Sequence, residues 1–212
     1  MIKAIIFDWS GVLSNDWEMT YLTAMDVFEH RGIKKVSNED FKELHDHPWP
    51  KVYAKLGLKV DMDEEYALWK DKMPKHMHTI KLFPFAEDCL RKIKAKGIKT
   101  IILSTRETNS LQKEIHGTNI EKLLDKIYSG HADKREKIND LISEQKLKKE
   151  EIIYIGDSVH DIETAKHAGV ISVAVLSGYD TKEKLEKAKP NYLINTAEEL
   201  PELVDQIMEK MK

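Results

Sequence analysis

Residues 4–13 read AIIFDWSGVL, a short apolar run followed by an aspartate and then a Ser-Gly pair. A run of this length and composition is typical of a strand that is buried on both faces, as in a parallel sheet. Asp8 stands where the predicted strand ends, and Ser10 and Gly11 stand where the chain must turn sharply. This stretch therefore predicts a buried strand that carries a carboxylate at its tip.

Similar apolar runs recur along the chain, and amphipathic segments with helical spacing alternate with them. The runs at 100–103 and 152–155 end in Ser104 and in Asp157. The alternation predicts an α/β fold with a doubly wound, parallel, Rossmann-like sheet. Because ligands bind outside the carboxyl ends of the strands in such folds, these polar residues are expected to meet Asp8 at one crevice. The other predicted strands are 126–128, 171–176 and 192–194, and the predicted helices are 86–96, 108–116, 136–146, 162–168, 182–189 and 198–212.

Residues 14–80 interrupt this alternation. Their periodicity predicts no convincing strand. We therefore predict two domains, which are an α/β core formed by residues 1–13 and 81–212 and a helical cap formed by residues 14–80 and inserted after the first strand. The helices predicted in this insertion are 16–31, 38–45, 49–56 and 62–77.

Composition restricts the classes of protein to which the chain can belong. Hydrophobic residues make up 41% of its 212 residues and charged residues 33%, an ordinary globular balance. The formal net charge of -3 gives no bulk electrostatic reason to expect nucleic acid or an anionic membrane as a partner. No stretch approaches the ~20 apolar residues of a membrane span, and the apolar run at the N-terminus is too short for a signal peptide. Because the single cysteine, Cys89, fits a reducing compartment, we expect a cytoplasmic protein. The sequence leaves a monomer and a homodimer equally open.

Carboxylates gather at the predicted strand ends. The segment GDSVHD, residues 156–161, places Asp157 and Asp161 four residues apart at a strand-to-helix junction. Together with Asp8 they would bring about three negative charges into one crevice, an arrangement that is costly without a cation. Magnesium prefers oxygen ligands and typically takes a few carboxylates while keeping several waters. The residues therefore predict a Mg²⁺ site that can neutralise a phosphate brought up against a carboxylate nucleophile.

Candidate donors for the oxygens of a phosphate follow the same order along the chain. Ser104 supplies a hydroxyl at a strand end, and the backbone amides of Thr105 and Arg106 add N–H groups. Lys134, at the start of the helix that leads into the 152–155 strand, can supply a positive charge. A carboxylate, a cation site, hydroxyl and amide donors and a lysine together predict phosphoryl transfer.

This order of residues resembles the haloacid dehalogenase-like hydrolase superfamily over nearly the whole chain. The family's motifs match at FDWSGVL (7–13), IILST (101–105), a lysine, and GDSVHD (156–161). The residues that follow the last motif, and the place of the insertion, look like the branch that contains phosphoglycolate phosphatase and β-phosphoglucomutase. Members of that branch carry a helical cap.

The family lysine is best matched by Lys134, because Ile138 and Leu141 then fall at the usual offsets; Lys137 is the fallback. The resemblance implies that Asp8 attacks phosphorus and forms an aspartyl-phosphate, while lysine and serine side chains hold the phosphoryl oxygens. The implied phosphate-holding residues are Ser104 and Lys134, and the implied Mg²⁺ ligands are the Asp8 carboxylate, the Ser10 backbone carbonyl and Asp157, with Asp161 in support through water.

Ser10 departs from the family pattern. Phosphatases of the family have an aspartate at this place, two residues after the nucleophile, which protonates the leaving alcohol and then activates water. Serine is no acid near neutral pH, and positioned general acid–base catalysis typically contributes about 10²–10⁴-fold. We therefore expect a magnesium-dependent hydrolase of a small phosphorylated metabolite that turns over ordinary phosphomonoesters slowly.

The departure at Ser10 leaves several functions open. A phosphatase would take its acid/base from elsewhere, such as His45 or His47, or would act on substrates with good leaving groups. A relative of the phosphonoacetaldehyde hydrolases, which the DWSG motif also resembles, would use Lys51 as a Schiff base. A haloacid dehalogenase needs no metal and would not be expected to keep Asp157. The last alternative is a catalytically weakened domain that binds a phosphoester or a protein partner.

The insertion is expected to choose the substrate. Its most unusual stretch is HDHPWPK, residues 45–51. Our hypothesis is that this loop lines the mouth of the crevice, where Trp49 and Lys51 contact the leaving group of the substrate.

Overall fold

Eight strands and ten α-helices are present in the computed structural model, which describes residues 1–46, 49–130 and 133–211. The chain begins with β1 (Ala4–Phe7), β2 (Ser14–Asn15), α1 (Trp17–His30), α2 (Asn38–Leu44), α3 (Pro50–Lys55), α4 (Met62–Lys72) and β3 (Lys81–Leu82). It continues with α5 (Ala86–Ala95), β4 (Lys99–Leu103), α6 (Thr108–Ile115), β5 (Lys126–Tyr128), α7 (Lys134–Glu144), β6 (Ile152–Gly156), α8 (Val159–Ala168), β7 (Ile171–Val175), α9 (Lys182–Ala188), β8 (Tyr192–Ile194) and α10 (Leu200–Lys210). Among these described residues, no helix is both long enough and apolar enough to cross a membrane.

Six of the strands form one parallel sheet in the order β5-β4-β1-β6-β7-β8. The chain builds the sheet outward from β1 through β4 and β5, returns to β6 on the other side of β1, and then continues outward through β7 and β8. In sheets of this kind a crevice opens where the strand order reverses, which here lies beside β1. The predicted fold class is confirmed, and the sheet strands begin and end within one residue of the predicted bounds.

Both faces of the sheet are buried, which explains why its strands are apolar along their whole length. Ile5 and Phe7 of β1 pack into one hydrophobic cluster, and Ala4 and Ile6 pack into another on the opposite face. Cys89 belongs to the first cluster, where burial raises the pKa of its thiol to about 12. The helices that cover the two faces contribute Leu90, Ile93, Val204 and Ile207 on the first and Ile138, Leu141, Ala165 and Ala168 on the second.

The segment from residue 14 to residue 80, called here the helical insert, contains α1 to α4. The prediction of no strand at its borders was wrong, because β2 pairs antiparallel with β3 through Ser14 and Leu82. Strands of two residues are too short to show periodicity in a sequence. Helix α4 also ends at Lys72, earlier than predicted, because Pro74 has no backbone N–H with which to continue a helix.

The insert has a hydrophobic cluster of its own, in which aromatic rings from all four helices pack together. Phe41 of α2 packs against Phe28 of α1 at 6.2 Å between ring centroids. Glu65 is fully buried there and accepts hydrogen bonds from Arg31 Nε at 2.8 Å, from Trp69 Nε1 at 3.0 Å and from the Tyr53 hydroxyl. A buried carboxylate satisfied in this way fixes the relative positions of α1, α3 and α4.

Lys184 of α9 links the sheet to the insert. Its Nζ donates to the backbone carbonyls of Lys42 at 2.9 Å, Glu43 at 3.2 Å and His45 at 2.9 Å. These carbonyls lie at the C-terminal end of α2, where a helix leaves its last carbonyl groups without an intrahelical partner. The ammonium group therefore fastens the end of α2 to the sheet side of the molecule.

Candidate active site

Three neighbouring strands of the sheet each end in a polar residue that the sequence singled out. Asp8 follows β1, Ser104 follows β4, and Asp157 follows β6. Asp161 lies in the first turn of α8 and joins the cluster. Carboxylate oxygens of the three aspartates lie within 4.8 Å of one another, and all three side chains are buried. The fold thus brings together side chains that are up to 153 residues apart in the sequence.

Two glycines allow the backbone to close around Asp157. A Cβ on Gly178 would lie 1.9 Å from Asp157 Oδ2, and a Cβ on Gly11 would lie 2.2 Å from the same atom. Gly11 also has a φ of +71°, a conformation that glycine adopts without strain. The backbone N–H of Tyr179 donates to Asp157 Oδ2 at 2.7 Å. Glycine at positions 11 and 178 therefore leaves room for this carboxylate beside the backbone.

Lys134 Nζ lies between two of the carboxylates, 2.7 Å from Asp8 Oδ1 and 2.7 Å from Asp161 Oδ1. Burial alone would lower the pKa of Lys134, but the two carboxylates raise it above its usual range. The Asp133 side chain caps α7, so the helix begins at Lys134 and not at residue 136 as predicted. Lys137, the fallback, instead contacts Glu144 at 3.3 Å. The geometry therefore brings Lys134, and not Lys137, into the cluster.

Asp161 is fully engaged by donors of the protein. Its Oδ1 accepts from Lys134 Nζ and, at 2.9 Å, from the Tyr154 hydroxyl. Its Oδ2 accepts from the Ser158 hydroxyl at 2.5 Å and from the Ser158 N–H at 3.1 Å. Burial would raise the pKa of Asp161, yet Lys134 and the hydrogen bond from Ser158 outweigh it and lower the pKa to about 2. This carboxylate therefore holds Lys134 in position.

The other two carboxylates lack enough positive charge. Burial raises the pKa of Asp8 to about 7 against the opposing effect of Lys134. Burial, with the charges of Asp8 and Asp161 beside it, raises the pKa of Asp157 well above its usual range. One ammonium group thus faces three carboxylates, all of them hard oxygen donors. A hard divalent cation such as Mg²⁺ fits both the type of donor and the missing charge.

The predicted phosphate donors that follow β4 lie on the opposite side of Asp8 from Asp157, because β1 is flanked by β4 and β6. They are Ser104, Thr105 and Arg106. Ser104 is buried, and its Oγ accepts a hydrogen bond from the Arg106 N–H at 3.1 Å. Thr105 and Arg106 line the cavity above Asp8. The Arg106 guanidinium itself is turned to Glu114, whose Oε1 accepts from its Nε at 2.8 Å and from its Nη2 at 2.6 Å.

A cavity of about 260 Å³ opens between the ends of the strands and the insert. Trp49 lines it as predicted, whereas Lys51 is not among the described residues of its wall. The Lys51 side chain is 57% exposed and pairs with Asp46 at 3.5 Å. His47 lies outside the residues that the structure describes. The lining consists of Asp8, Ser10, Thr20, His45, Trp49, Tyr66, Trp69, Thr105, Arg106, Lys134, Asp157, Ser158, His160 and Tyr179.

Sequence reasoning missed a second acidic group close to Ser10. The Ser10 hydroxyl donates to Asp16 Oδ2 at 2.6 Å, and the Tyr179 hydroxyl donates to Asp16 Oδ1 at 3.0 Å. Asp16 is buried, which raises its pKa despite Arg106 Nη1 at 3.5 Å. A lone aspartate before a helix is usually a cap, so the sequence held no signal for this contact.

The family model of the haloacid dehalogenase-like hydrolases matches residues 5–175 of the chain. The chain belongs to this family. A curated relative of this hydrolase, a phosphoglycolate phosphatase from Synechococcus elongatus, is 22% identical over 98% of the chain and 99% of its own length. Another, a pyrophosphatase from Listeria monocytogenes, is 24% identical over 96% of each chain. The predicted resemblance to the superfamily, and to its phosphoglycolate phosphatase branch, is confirmed.

A solved structure supports the same fold. A haloacid dehalogenase-like hydrolase from Streptococcus pneumoniae superposes with a TM-score of 0.80 at 22% identity, covering 94% of the present hydrolase and 96% of that chain. A hydrolase from Pseudomonas syringae gives a TM-score of 0.78 at 16% identity, with 97% and 99% covered. At these identities the likeness shows the fold alone.

Proposed function

We propose that this hydrolase removes the phosphoryl group from a small phosphorylated molecule, with Asp8 as the covalent nucleophile. The observation that carries the proposal is the position of the Asp8 carboxylate, at the floor of the cavity and 2.7 Å from Lys134 Nζ. A carboxylate that attacks a phosphate needs positive charge beside it to offset the repulsion between two anions. The names of the phosphoglycolate phosphatase and pyrophosphatase relatives agree with a phosphorylated substrate.

The acidic cluster supports Mg²⁺ as the cofactor of this reaction. We assign the Asp8 carboxylate, the Ser10 backbone carbonyl and Asp157 as its protein ligands. Asp161 supports the site, because its oxygens are already engaged by Lys134, Tyr154 and Ser158. When bound, Mg²⁺ would neutralise the charge that the phosphate oxygens carry toward the nucleophile.

The protein's own groups then have separate tasks. Asp8 attacks phosphorus, the bond between phosphorus and the leaving oxygen breaks, and an aspartyl-phosphate remains until water releases phosphate. Lys134, held by Asp161, stabilises the charge on the transferred phosphoryl group, and the Ser104 hydroxyl with the Thr105 and Arg106 amides holds its oxygens. The Arg106 N–H, which donates to Ser104 Oγ at 3.1 Å, would turn to the phosphoryl oxygen when the substrate binds.

Protonation of the leaving group is the weak step of this scheme. The Ser10 hydroxyl is no acid near neutral pH, and it already donates to Asp16. Of the two histidines predicted as an acid/base, His45 lies within the described residues, and it lines the cavity. We therefore propose slow turnover of ordinary alkyl phosphates and faster turnover of esters with good leaving groups.

The insert is proposed to act as a cap over this chemistry, with residues 14–80 as the cap domain and residues 1–13 and 81–212 as the core domain. Its own hydrophobic cluster and its contribution of Thr20, Trp49 and Trp69 to the cavity wall support this division. An alternative activity, C–P bond cleavage through a Schiff base on Lys51, has no support in the geometry, because that side chain points to Asp46 and to solvent.

The test is phosphate release from a panel of phosphoesters with and without Mg²⁺, in the wild type and in Asp8→Asn. We expect Mg²⁺-dependent release that Asp8→Asn reduces by about 10³-fold or more, as removal of a covalent nucleophile does. Acid-quenched wild-type enzyme should carry phosphate on Asp8. Asp88→Asn is the matched control, because Asp88 is exposed and pairs only with Lys92 among the contacts described.

Equal rates for Asp8→Asn and the wild type would exclude the aspartyl-phosphate. A wild type that releases phosphate from no member of the panel, while still binding phosphoesters, would identify the chain as the catalytically weakened binding domain considered above.

A further inference from the structure

The two ends of the cavity differ in chemistry. The end at the strand tips is polar and charged, whereas the end formed by the insert is aromatic. There the Trp49 and Trp69 rings meet edge to face, with centroids 4.8 Å apart and planes at 87°. Tyr66, one turn before Trp69 on α4, lines the same end and is 59% exposed. Edge-to-face indoles present flat apolar surface that favours a ring or a short apolar chain.

Positive charge in the cavity wall is already neutralised. Among the described residues of the wall, the lysine and arginine side chains are Lys134 and Arg106. Lys134 is held between two carboxylates, and Arg106 is bound through two nitrogens to Glu114, with Asp16 at 3.5 Å from its third. Both cations are therefore needed to balance carboxylates of the protein.

The two histidines of the wall do not change this balance. His45 Nδ1 lies 3.7 Å from the Asp180 carboxylate. His160 Nε2 lies 3.7 Å from the Asp133 carboxylate. If a substrate carried a second anionic group beyond its phosphate, that group would lose its water and contact the indole rings. No cation of the described wall would be left to pair with it. Burying a charge without a partner is strongly unfavourable.

We infer that the alcohol part of the substrate is uncharged and bears an apolar ring, which packs against Trp49 and Trp69. This inference rests on the proposed phosphatase function and names its substrate class. The cavity of about 260 Å³ is slightly below the ~300–1,000 Å³ typical of drug-sized ligands, so the substrate is a small monoester. Phosphoglycolate and pyrophosphate, which appear in the names of relatives, each carry a second anionic group and are poor substrates on this view.

Binding and turnover test the inference separately. The binding assay uses titration calorimetry of Asp8→Asn in magnesium chloride with benzyl phosphate and with phosphoglycolate, which share an alkyl ester bond. We expect benzyl phosphate to bind about 10- to 100-fold more tightly, the discrimination that a specific pocket typically achieves. In the wild type, the ratio of kcat/KM for the two esters should favour benzyl phosphate by a similar factor.

A charge added to the aromatic end should reverse the preference. Tyr66→Arg places a cation there without cutting into a buried side chain, and it should lower the ratio of the two affinities at least about tenfold, whereas Tyr66→Phe should keep it. Leu58→Arg is the matched control, because Leu58 is an exposed residue of the insert that does not line the cavity.

Tighter binding of phosphoglycolate to Asp8→Asn, or an unchanged ratio in Tyr66→Arg, would overturn the inferred substrate class while leaving the phosphatase function standing. Failure of the proposed function would look different, since neither ester would then release phosphate in the wild type even if benzyl phosphate were bound preferentially.

Discussion

Among single side chains, the contact between Ser10 and Asp16 bears on the proposed acid–base step. Position 10 is where the resemblance to the family predicts a second aspartate, and here the Ser10 hydroxyl donates to the buried Asp16 carboxylate 2.6 Å away. The simplest repair, Ser10→Asp, would place two carboxyl groups in contact. Two carboxyl groups in one site share a proton and raise one of their pKa values strongly. The new side chain would then be held by Asp16 and not by the substrate.

We therefore predict that Ser10→Asp alone gains little activity on benzyl phosphate, and that Ser10→Asp combined with Asp16→Asn exceeds it by about tenfold or more in kcat. An asparagine at position 16 still accepts from Tyr179 but removes the second ionisable group. Positioned acid–base catalysis is worth about 10²–10⁴-fold, so the gain is measurable. Steady-state kinetics on the wild type, both single variants and the double variant provide the measurement. A single variant as active as the double would show that Asp16 does not constrain position 10.

Some site residues could be predicted from the sequence next to them, and others could not. Asp8, Ser104 and Asp157 were predicted because each follows its own apolar strand, and parallel strands bring their carboxyl ends to one edge. Asp16, Tyr179 and Glu114 were not predicted, because their roles come from packing between distant elements that leaves no periodic trace.

Among helices and strands, the contact of α9 with α2 joins the sheet side of the molecule to the insert beside the cavity. Lys184 is the donor to three carbonyls at the end of α2, directly before the stretch that leads to Trp49. Hydrogen bonds that involve a charged group typically contribute about 1.5–3 kcal/mol. Loss of this contact should therefore loosen the aromatic end of the cavity more than the strand tips.

We predict that Lys184→Met raises KM for benzyl phosphate about tenfold, which corresponds to ~1.4 kcal/mol, with little change in kcat. The matched control is Lys182→Met on the same helix, whose side chain is 58% exposed and pairs with Glu186 at 3.7 Å. Kinetics of both variants on one substrate check the prediction. It would be contradicted by equal KM values in Lys184→Met and Lys182→Met.

Elements with a clear period were predicted well, and those without one were not. The sheet strands and most helices were placed closely because apolar runs and helical spacing extend over several residues. The pairing of β2 with β3 was missed because each has two residues, and the start of α7 was misplaced because its cap, Asp133, precedes the apolar periodicity.

For the molecule as a whole, the separation of its hydrophobic clusters predicts uneven stability. The two largest clusters on the sheet share the strands β1, β4 and β6, whereas the aromatic cluster belongs to the insert. Regions that open locally do so with free energies below that of global unfolding. The insert, which joins the sheet through two chain crossings, is expected to open more readily than the central strands.

We predict that backbone amides of β1 and β6 exchange with solvent about 10²-fold more slowly than those of α3 and α4 in native-state hydrogen exchange. Glu65→Gln should speed exchange in the insert alone, because it removes the charge of a buried carboxylate. Arg31 pairs with this carboxylate at 2.8 Å, and breaking a buried ion pair costs about 3–5 kcal/mol. Glu64→Gln, at an exposed neighbouring position, serves as the control. If Glu65→Gln slowed or sped all amides equally, the insert and the sheet would be one cooperative unit.

The pairing of Ser14 with Leu82 affects how the insert can change during evolution. Residues paired across antiparallel strands lie about 5 Å apart, so the insert begins and ends at almost the same point. Each doubling in the length of a flexible loop adds only about 0.6 kcal/mol of closure entropy. The insert can therefore be lengthened, shortened or exchanged during evolution while the strands of the six-stranded sheet keep their register, so the wall of the cavity can change without a change in the core.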